Sequence, residues 1–242
     1  MRSAGGRTIG ILISATLAFG LTSGAAFAKS AEDPALLERG DTGQDVTEVQ
    51  IRVAGWAADS AAEEYVEVNG EFDAATEAAV TRFQDAYGLQ TTGEVDAETQ
   101  SELDALEDSD GTKNFNFSEF HSKDGAGFSG GNVGESEVKE NVRRLMYKLE
   151  AIRKKAGDQP ITVNSGFRSK SHNDSVGGAS NSQHTYGIAA DIVVSGASPG
   201  KVTDYAKTTG FSGIITYSGF VHVDSRVEYP DYGAGEWYWD NA

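Results

Sequence analysis

Two histidines and one aspartate constrain the fold of this chain more than any other sequence feature. His184 and Asp191 are seven residues apart within residues 178–194, and His222 follows within residues 217–224. Borderline metals such as zinc favour imidazole nitrogens together with a carboxylate, and three such ligands leave the fourth position of a tetrahedron for water. The set is therefore typical of a catalytic zinc site, and a fold that uses it must bring the two segments together.

The residues around this set predict β-strands. An apolar run at residues 192–194 begins directly after Asp191, which is typical of a buried strand. Residues 220–224 alternate in polarity and predict a second strand. Side chains two residues apart in a strand point to the same side, so His222 and Asp224 are expected to share a face.

The neighbouring segments complete the prediction of an α+β domain. Residues 213–217 predict a further strand, which a turn at Ser218 and Gly219 joins to the strand of His222. Residues 137–156 predict the longest helix, because apolar residues line one face and basic residues gather near its end. We therefore expect an α+β domain with an antiparallel sheet.

The first 28 residues are typical of a secretory signal peptide. They contain two arginines and no acidic residue, then an apolar run, and they end in the small-residue pattern Ala26-Phe27-Ala28. A retained membrane anchor is the alternative, but the run is short and is interrupted by serines and glycines. No later segment resembles a transmembrane span. We expect a mature protein that is secreted and has no transmembrane segment.

Charge and cysteine content exclude several classes of partner and of stabilisation. The whole chain has a formal charge of −17, and removing the two arginines of residues 1–28 takes it to −19. Such an acidic protein is not expected to bind nucleic acid or an anionic membrane. The chain has no cysteine, so its stability must come from apolar cores and any bound metal.

An internal repeat predicts a separate helical domain before the zinc motif. The sequence GEFDAATEAAV at residues 70–80 is echoed by GEVDAETQSEL at residues 93–103. In each copy a glycine turn is followed by an aspartate, Asp73 or Asp96, placed to cap the N-terminus of a helix. With one helix upstream, these units predict a small all-α three-helix domain over residues 35–106.

The boundary between the two predicted domains falls at an acidic segment. Residues 107–113 lack an apolar pattern and are interpreted as a linker. The α+β domain then spans residues 114–242.

The helical domain resembles peptidoglycan-binding domains of the three-helix type, on the strength of the motifs VNGEFDAATEAAVTRFQ and YGLQTTGEVDAET. That resemblance implies peptidoglycan as the partner of this domain.

Four motifs of the second domain together resemble a known family of zinc enzymes. They are PITVNSGFRS at residues 160–169, VGGASNSQH at 176–184, AAD at 189–191 and VHVD at 221–224. The chain is similar here to the zinc D-alanyl-D-alanine carboxypeptidases, the LAS-type metallopeptidases whose relatives include the Hedgehog signalling fold. The resemblance covers residues 114–227. It implies Zn²⁺ bound by His184, Asp191 and His222, and Arg168 as the residue that binds the substrate or the developing oxyanion.

The chain departs from this family at the general base. Relatives carry an acidic residue three positions before the last zinc histidine, or a histidine two positions before it, but here those positions are Gly219 and Phe220. Asp224 is the nearest acidic candidate, because it shares a strand face with His222. A carboxylate that orients a metal ligand is the alternative role for Asp224, and the sequence leaves both open.

The sequence therefore predicts a monomeric, cell-wall-associated zinc metallopeptidase that hydrolyses peptidoglycan stem peptides. D-alanyl-D-alanine carboxypeptidase activity is the first expectation. One alternative is an endopeptidase that cuts the L-alanyl-D-glutamate bond or a cross-link. Another is a non-catalytic wall-binding protein that keeps zinc for stability, which the absence of a side chain at Gly219 favours.

Overall fold

The computed structural model describes residues 37–241, so the predicted signal peptide at residues 1–28 lies outside the described residues. The first part of the described chain contains three helices, as the repeat predicted: α1 (Gln44–Val53), α2 (Ala74–Tyr87) and α3 (Ala97–Asp104). Asp73 and Asp96 cap the last two, each accepting a hydrogen bond of 2.8 Å from the backbone N–H three residues on.

The sequence repeat is also a repeat of structure, organised by two buried glutamines. The side-chain oxygen of Gln50 accepts from the backbone N–H of Gly70 at 2.8 Å, and that of Gln84 accepts from Gly93 at 2.9 Å. The side-chain nitrogen of each glutamine donates to the carbonyl of the residue after that glycine, Glu71 at 2.9 Å and Glu94 at 2.8 Å. Each repeat turn is therefore held by the helix that precedes it.

The segment predicted as the linker carries secondary structure. Strands β1 (Glu107–Asp108), β2 (Gly111–Thr112) and β3 (Phe115–Asn116) form a small antiparallel sheet. The buried carboxylate of Glu150 accepts hydrogen bonds from the Thr112 hydroxyl at 2.7 Å and from the Asn114 backbone at 2.8 Å. These bonds hold the segment against the long helix to which Glu150 belongs.

The second domain is α+β, as predicted, with one five-stranded sheet. The helices are α4 (Glu135–Lys155), α5 (Lys170–Ser175) and α6 (Pro199–Ala206). The strands are β4 (Ile161–Ser165), β5 (Ala189–Val194), β6 (Gly213–Thr216), β7 (Val221–Asp224) and β8 (Tyr238–Asn241), in the spatial order β4-β5-β7-β6-β8. All pairs are antiparallel except β6 and β8, which run parallel.

Helix α4 contributes to the cores of both domains. Leu149 and Ile152 belong to the cluster under the sheet, whereas Tyr147 and Ala151 belong to the cluster of the first domain. The contact is close at Gly55, where an added Cβ would lie 2.4 Å from the Cβ of Ala151. Nowhere in residues 37–241 does a helix combine the length and apolarity that a membrane span requires.

Candidate metal centre

The register of the sheet brings the residues of the predicted zinc set into one row. Asp191 on β5 lies opposite His222 on β7, and Ser165 on β4 lies opposite Asp191 on its other side. Directly opposed residues in neighbouring strands point to the same face. Both Asp191 and His222 therefore project from the face of the sheet that does not carry the apolar core.

His184 reaches this face from a short helical turn just before β5. The 3₁₀ turn Gln183–Tyr186 ends at Gly187, whose φ of 79° is in the left-handed region that favours glycine. A Cβ at Gly187 would lie 2.9 Å from the carbonyl oxygen of Val138 on α4. The chain can turn back into β5 here because glycine permits both the dihedral angle and the close approach.

Three acceptor atoms converge at the centre of the site. The Asp191 Oδ1 atom lies 2.9 Å from His222 Nδ1 and 3.3 Å from His184 Nε2, and the two nitrogens are 3.2 Å apart. Zinc bonds of about 2.0–2.2 Å in a tetrahedron place ligand atoms about 3.3–3.6 Å from one another. The three side chains are buried, and their spacing fits a small divalent cation.

The tautomer of each histidine is set by the ring nitrogen that points away from the centre of the site. His184 Nδ1 is 2.6 Å from the carbonyl oxygen of Gly166, which can only accept, so this nitrogen carries the proton and Nε2 keeps a lone pair. His222 Nε2 is 3.0 Å from a carboxylate oxygen of Asp224, which fixes its proton in the same way. Both histidines are therefore held as the tautomers that a metal ligand needs.

The electrostatics of the site favour a bound positive charge. Burial lowers the pKa of His184, so this ring is neutral. Burial also lowers the pKa of His222, but its hydrogen bonds to Asp191 and Asp224 outweigh that effect and raise the pKa to about 9. A metal ion would replace the proton that His222 otherwise takes up.

Asp224 is buried and has all of its hydrogen-bonding positions occupied. Its Oδ1 accepts from the backbone N–H and from Nε of Arg226, at 3.0 Å and 2.9 Å. Its Oδ2 accepts from Nη2 of Arg226 at 2.7 Å and from His222 at 3.0 Å. The pKa of Asp224 is lowered, because these hydrogen bonds and charges outweigh the opposing effect of burial.

Arg168 is next to the three acceptors and contacts one of them. Its Nη2 donates to the second oxygen of Asp191 at 2.7 Å, and its Nε donates to the hydroxyl of Ser165 at 2.9 Å. The remaining nitrogen, Nη1, makes no hydrogen bond to any residue within 37–241. Arg168 therefore orients Asp191 and keeps one donor available.

Sequence reasoning missed three of these contacts. Arg226 and the carbonyl of Gly166 were not singled out, and neither was Ser165. The only available signal was Arg226 two residues after Asp224, a spacing that places both on one side of an extended chain. Gly219, the position at which the family resemblance implied a general base, is exposed, and an added Cβ would meet nothing within 4 Å.

Comparisons with known proteins place these residues in a family context. Residues 113–224 match the family described as peptidase M15, and residues 42–103 match that of the peptidoglycan binding domain. The zinc D-Ala-D-Ala carboxypeptidase of Streptomyces albus G is 40% identical over 180 residues, which cover 74% of this chain and 69% of that protein. The three acceptors, Arg168 and Asp224 all lie within the first matched range.

Proposed function

This chain belongs to the peptidase M15 family, and we propose that it is a zinc-dependent D-alanyl-D-alanine carboxypeptidase that acts on the stem peptides of peptidoglycan. The observation that carries the proposal is the convergence of three lone pairs, from His184 Nε2, Asp191 Oδ1 and His222 Nδ1. The other ring nitrogen of each histidine makes the hydrogen bond that fixes its tautomer. The name of the Streptomyces relative supports the substrate.

The donor set fits zinc, because two imidazoles and one carboxylate are ligands that zinc accepts in a site with an open fourth position. When bound there, zinc polarises the scissile carbonyl and activates water for attack. His184, Asp191 and His222 would hold it. Their rigid attachment to β5, β7 and the adjoining turn keeps these atoms in place before substrate arrives.

Arg168 has two tasks in this proposal. Nη2 holds Asp191 in the orientation that a ligand needs, and the free Nη1 donates to the substrate. A guanidinium can pair with the terminal carboxylate of D-alanyl-D-alanine or with the oxyanion that develops during hydrolysis. The ion pair with Asp191 holds the guanidinium group beside the acceptor cluster, where either use would take place.

In this proposal Asp224 is a positioning residue and not the general base, the other of the two roles that the sequence left open. A base must have a free lone pair close to the reacting water, but both oxygens of Asp224 already accept hydrogen bonds from Arg226 and His222. A carboxylate behind a metal-binding histidine fixes the ring and raises its basicity. This is the alternative role that the sequence left open.

The first domain supplies attachment to the cell wall. Its match to the peptidoglycan binding domain family supports peptidoglycan as its ligand. Attachment raises the local concentration of stem peptides around the active site without any new contact there. The predicted signal peptide supports a secreted, wall-associated protein, and we propose that it acts as a monomer.

The test is digestion of defined muropeptides with pentapeptide stems, with zinc and after chelation, with products identified by mass. We expect the release of one D-alanine per stem, loss of activity on chelation, and loss of both zinc and activity in His184→Ala. Internal cleavage of the stem would make the protein an endopeptidase. Binding to sacculi without any product would favour the non-catalytic alternative.

The role of Asp224 is tested separately by Asp224→Asn. Loss of a residue that orients a metal ligand typically lowers metal affinity about 10–100-fold. We expect that reduction, together with weaker hydrolysis that excess zinc partly restores. Full zinc affinity combined with a loss of hydrolysis that zinc does not restore would instead make Asp224 the general base.

A further inference from the structure

We infer that Lys148, a buried residue of helix α4, is a positioning residue for the metal centre. Its ammonium group holds both ends of the short turn that contains Arg226. The turn in turn keeps Arg226 and Asp224 aligned behind His222. The inference rests on the proposed function, because it adds a remote residue on which the metal site of that function depends.

The ammonium group of Lys148 is buried and has all of its donors occupied. Lys148 is 2% exposed, and a lysine is rarely buried so fully unless its charge is paired. An ammonium group has three donors. Here Nζ donates to the carbonyl of Gly210 at 2.9 Å, to the hydroxyl of Ser225 at 2.8 Å and to the carboxylate of Glu228. We call this set of three hydrogen bonds the Lys148 clamp.

Two of the three acceptors lie on either side of Arg226. Strand β7 ends at Asp224, Ser225 follows, and a 3₁₀ turn then covers Arg226–Glu228. The backbone N–H of Glu228 donates to the carbonyl of Ser225 at 3.0 Å, which closes the turn. Lys148 therefore bonds to the residue before the turn and to the last residue of the turn.

The third acceptor lies just before the strand that pairs with Asp224. Gly210 is followed closely by Ser212, whose backbone N–H donates to the backbone carbonyl of Asp224 at 2.9 Å. The hydroxyl of Ser212 accepts a hydrogen bond of 3.0 Å from the backbone N–H of Val227, inside the turn. The Lys148 clamp therefore joins the start of β6, the end of β7 and the turn at the point where they hold Asp224.

The carboxylate of Asp224 depends on this turn for its orientation. Apart from the contact with His222, every hydrogen bond that this carboxylate accepts from residues 37–241 comes from Arg226. A shift of the turn would therefore move the only group that aligns the carboxylate with the His222 ring. A carboxylate in this position fixes the orientation of a metal-binding histidine. Lys148 thus acts on the metal centre without contacting any proposed ligand.

The first domain closes the protein over the Lys148 clamp. A cavity of about 10 Å³ beside Lys148, with room for one water molecule, is lined on that side by Ile51, Ala54 and Val68. Gly55 lies against the backbone of α4, where an added Cβ would be 3.1 Å from the Cα of Lys148. Hydrogen bonds are electrostatically stronger where water is excluded. The contact between the domains therefore strengthens the clamp.

The test removes the clamp and measures the zinc affinity of the folded full chain by competition with a chromogenic chelator. Lys148→Met combined with Glu228→Gln removes both charges, so neither is left unpaired in the interior. We expect the affinity to fall about 3–10-fold, less than the 10–100-fold typical of a residue that contacts a metal ligand directly. The absorption spectrum of Co²⁺ bound in place of zinc should also change, because it depends on ligand geometry.

Two further variants make the test specific. Lys155→Met is the matched control, because Lys155 is also on α4 and its Nζ donates to the hydroxyl and carbonyl of Thr208, at 2.7 Å and 3.0 Å, away from the turn. It should leave the zinc affinity and the Co²⁺ spectrum unchanged. Ser225→Ala removes one acceptor and no charge, and should lower the affinity about two- to threefold. This milder variant decides the question if the double variant does not fold.

A residue that only stabilises the fold would give a different result. Its variants would unfold at lower urea concentration, but their folded form would bind zinc with the parent affinity. That outcome would overturn the inference and leave the proposed function intact.

If the parent binds no zinc, the proposed function fails, and the clamp is judged in the metal-free protein. The readout is then hydrogen exchange of the Arg226 backbone amide, which donates to Asp224 at 3.0 Å. Faster exchange in Ser225→Ala than in Lys155→Met would support the clamp, because the turn would open more often. Equal exchange in the two variants would refute it.

Discussion

Gly213→Ala should disrupt the metal centre without touching any proposed ligand. Gly213 lies opposite Asp224, and an added Cβ would be 2.1 Å from Oδ2 and 2.4 Å from both Cγ and Oδ1 of that residue. Optimal contacts between non-bonded atoms are about 3.5–4.0 Å, so the carboxylate must retreat by more than about 1 Å. It would then lose its alignment with His222 and with Arg226.

The magnitude follows from what the carboxylate holds. A buried hydrogen bond to a charged group contributes about 1.5–3 kcal/mol, and overpacking costs about 1–3 kcal/mol. We expect the free energy of unfolding to fall by about 2–4 kcal/mol, since part of the network can readjust. The affinity for zinc should fall about 10–100-fold, as for other losses behind a metal ligand.

The assay is zinc competition with a chromogenic chelator, together with urea denaturation of the metal-free protein. Gly219→Ala is the matched control, because it is in the same hairpin and its added Cβ would meet nothing within 4 Å. It should be silent in both measurements. A Gly213→Ala protein with the zinc affinity of Gly219→Ala would refute the view that Asp224 holds His222.

Three further predictions concern the metal, the packing of α4 and the pH dependence of stability. Chelation should lower the melting temperature of the zinc-loaded parent, because a ligand at one hundred times its Kd stabilises the folded state by about 2.7 kcal/mol. Calorimetry measures this shift, and His184→Ala should not show it. Gly55→Ala should lower the urea midpoint, because the added Cβ would lie 2.4 Å from the Cβ of Ala151 and overpacking costs about 1–3 kcal/mol. An unchanged midpoint would contradict the close packing of α4 against this segment. Burial lowers the pKa of Lys155 from 10.5 to about 8 in the folded protein, so between these values the Lys155 amine is protonated in the unfolded chain but not in the folded one. The free energy of unfolding of the parent should therefore rise from pH 8 to 10 relative to that of Lys155→Met.

The elements that the sequence predicted well are those with local physical causes. The caps at Asp73 and Asp96 follow from short polar side chains before apolar helical runs, and both are confirmed. The α+β fold and the predicted family are also confirmed. Candidate metal ligands were recognisable because a chain with four histidines offers few sets that suit zinc.

The contacts behind the proposed ligands depend on register, which local pattern does not determine. Asp224 alternates with His222 in the sequence, so a shared face was predictable, but its four hydrogen bonds required the position of Arg226. The partner of His184 is a backbone carbonyl, at Gly166, and a carbonyl has no sequence signal. The parallel strand β8 brings Asp240 into the row of His222. The pairing of this C-terminal segment with β6 depends on tertiary structure, so the local sequence did not predict it.

Helix α4 ties the proposed wall-binding and catalytic functions together mechanically. Family matches end at residue 103 and resume at residue 113, as two independent modules would, yet Tyr147 and Ala151 of the second module are buried in the core of the first. Arg143 also pairs with Glu48 across the contact, at 3.1 Å. A contact built from buried aromatic and small side chains resists relative motion more than a flexible linker does. Under the proposed function, the domain that binds the wall therefore holds the metal centre at a constant orientation relative to its own surface.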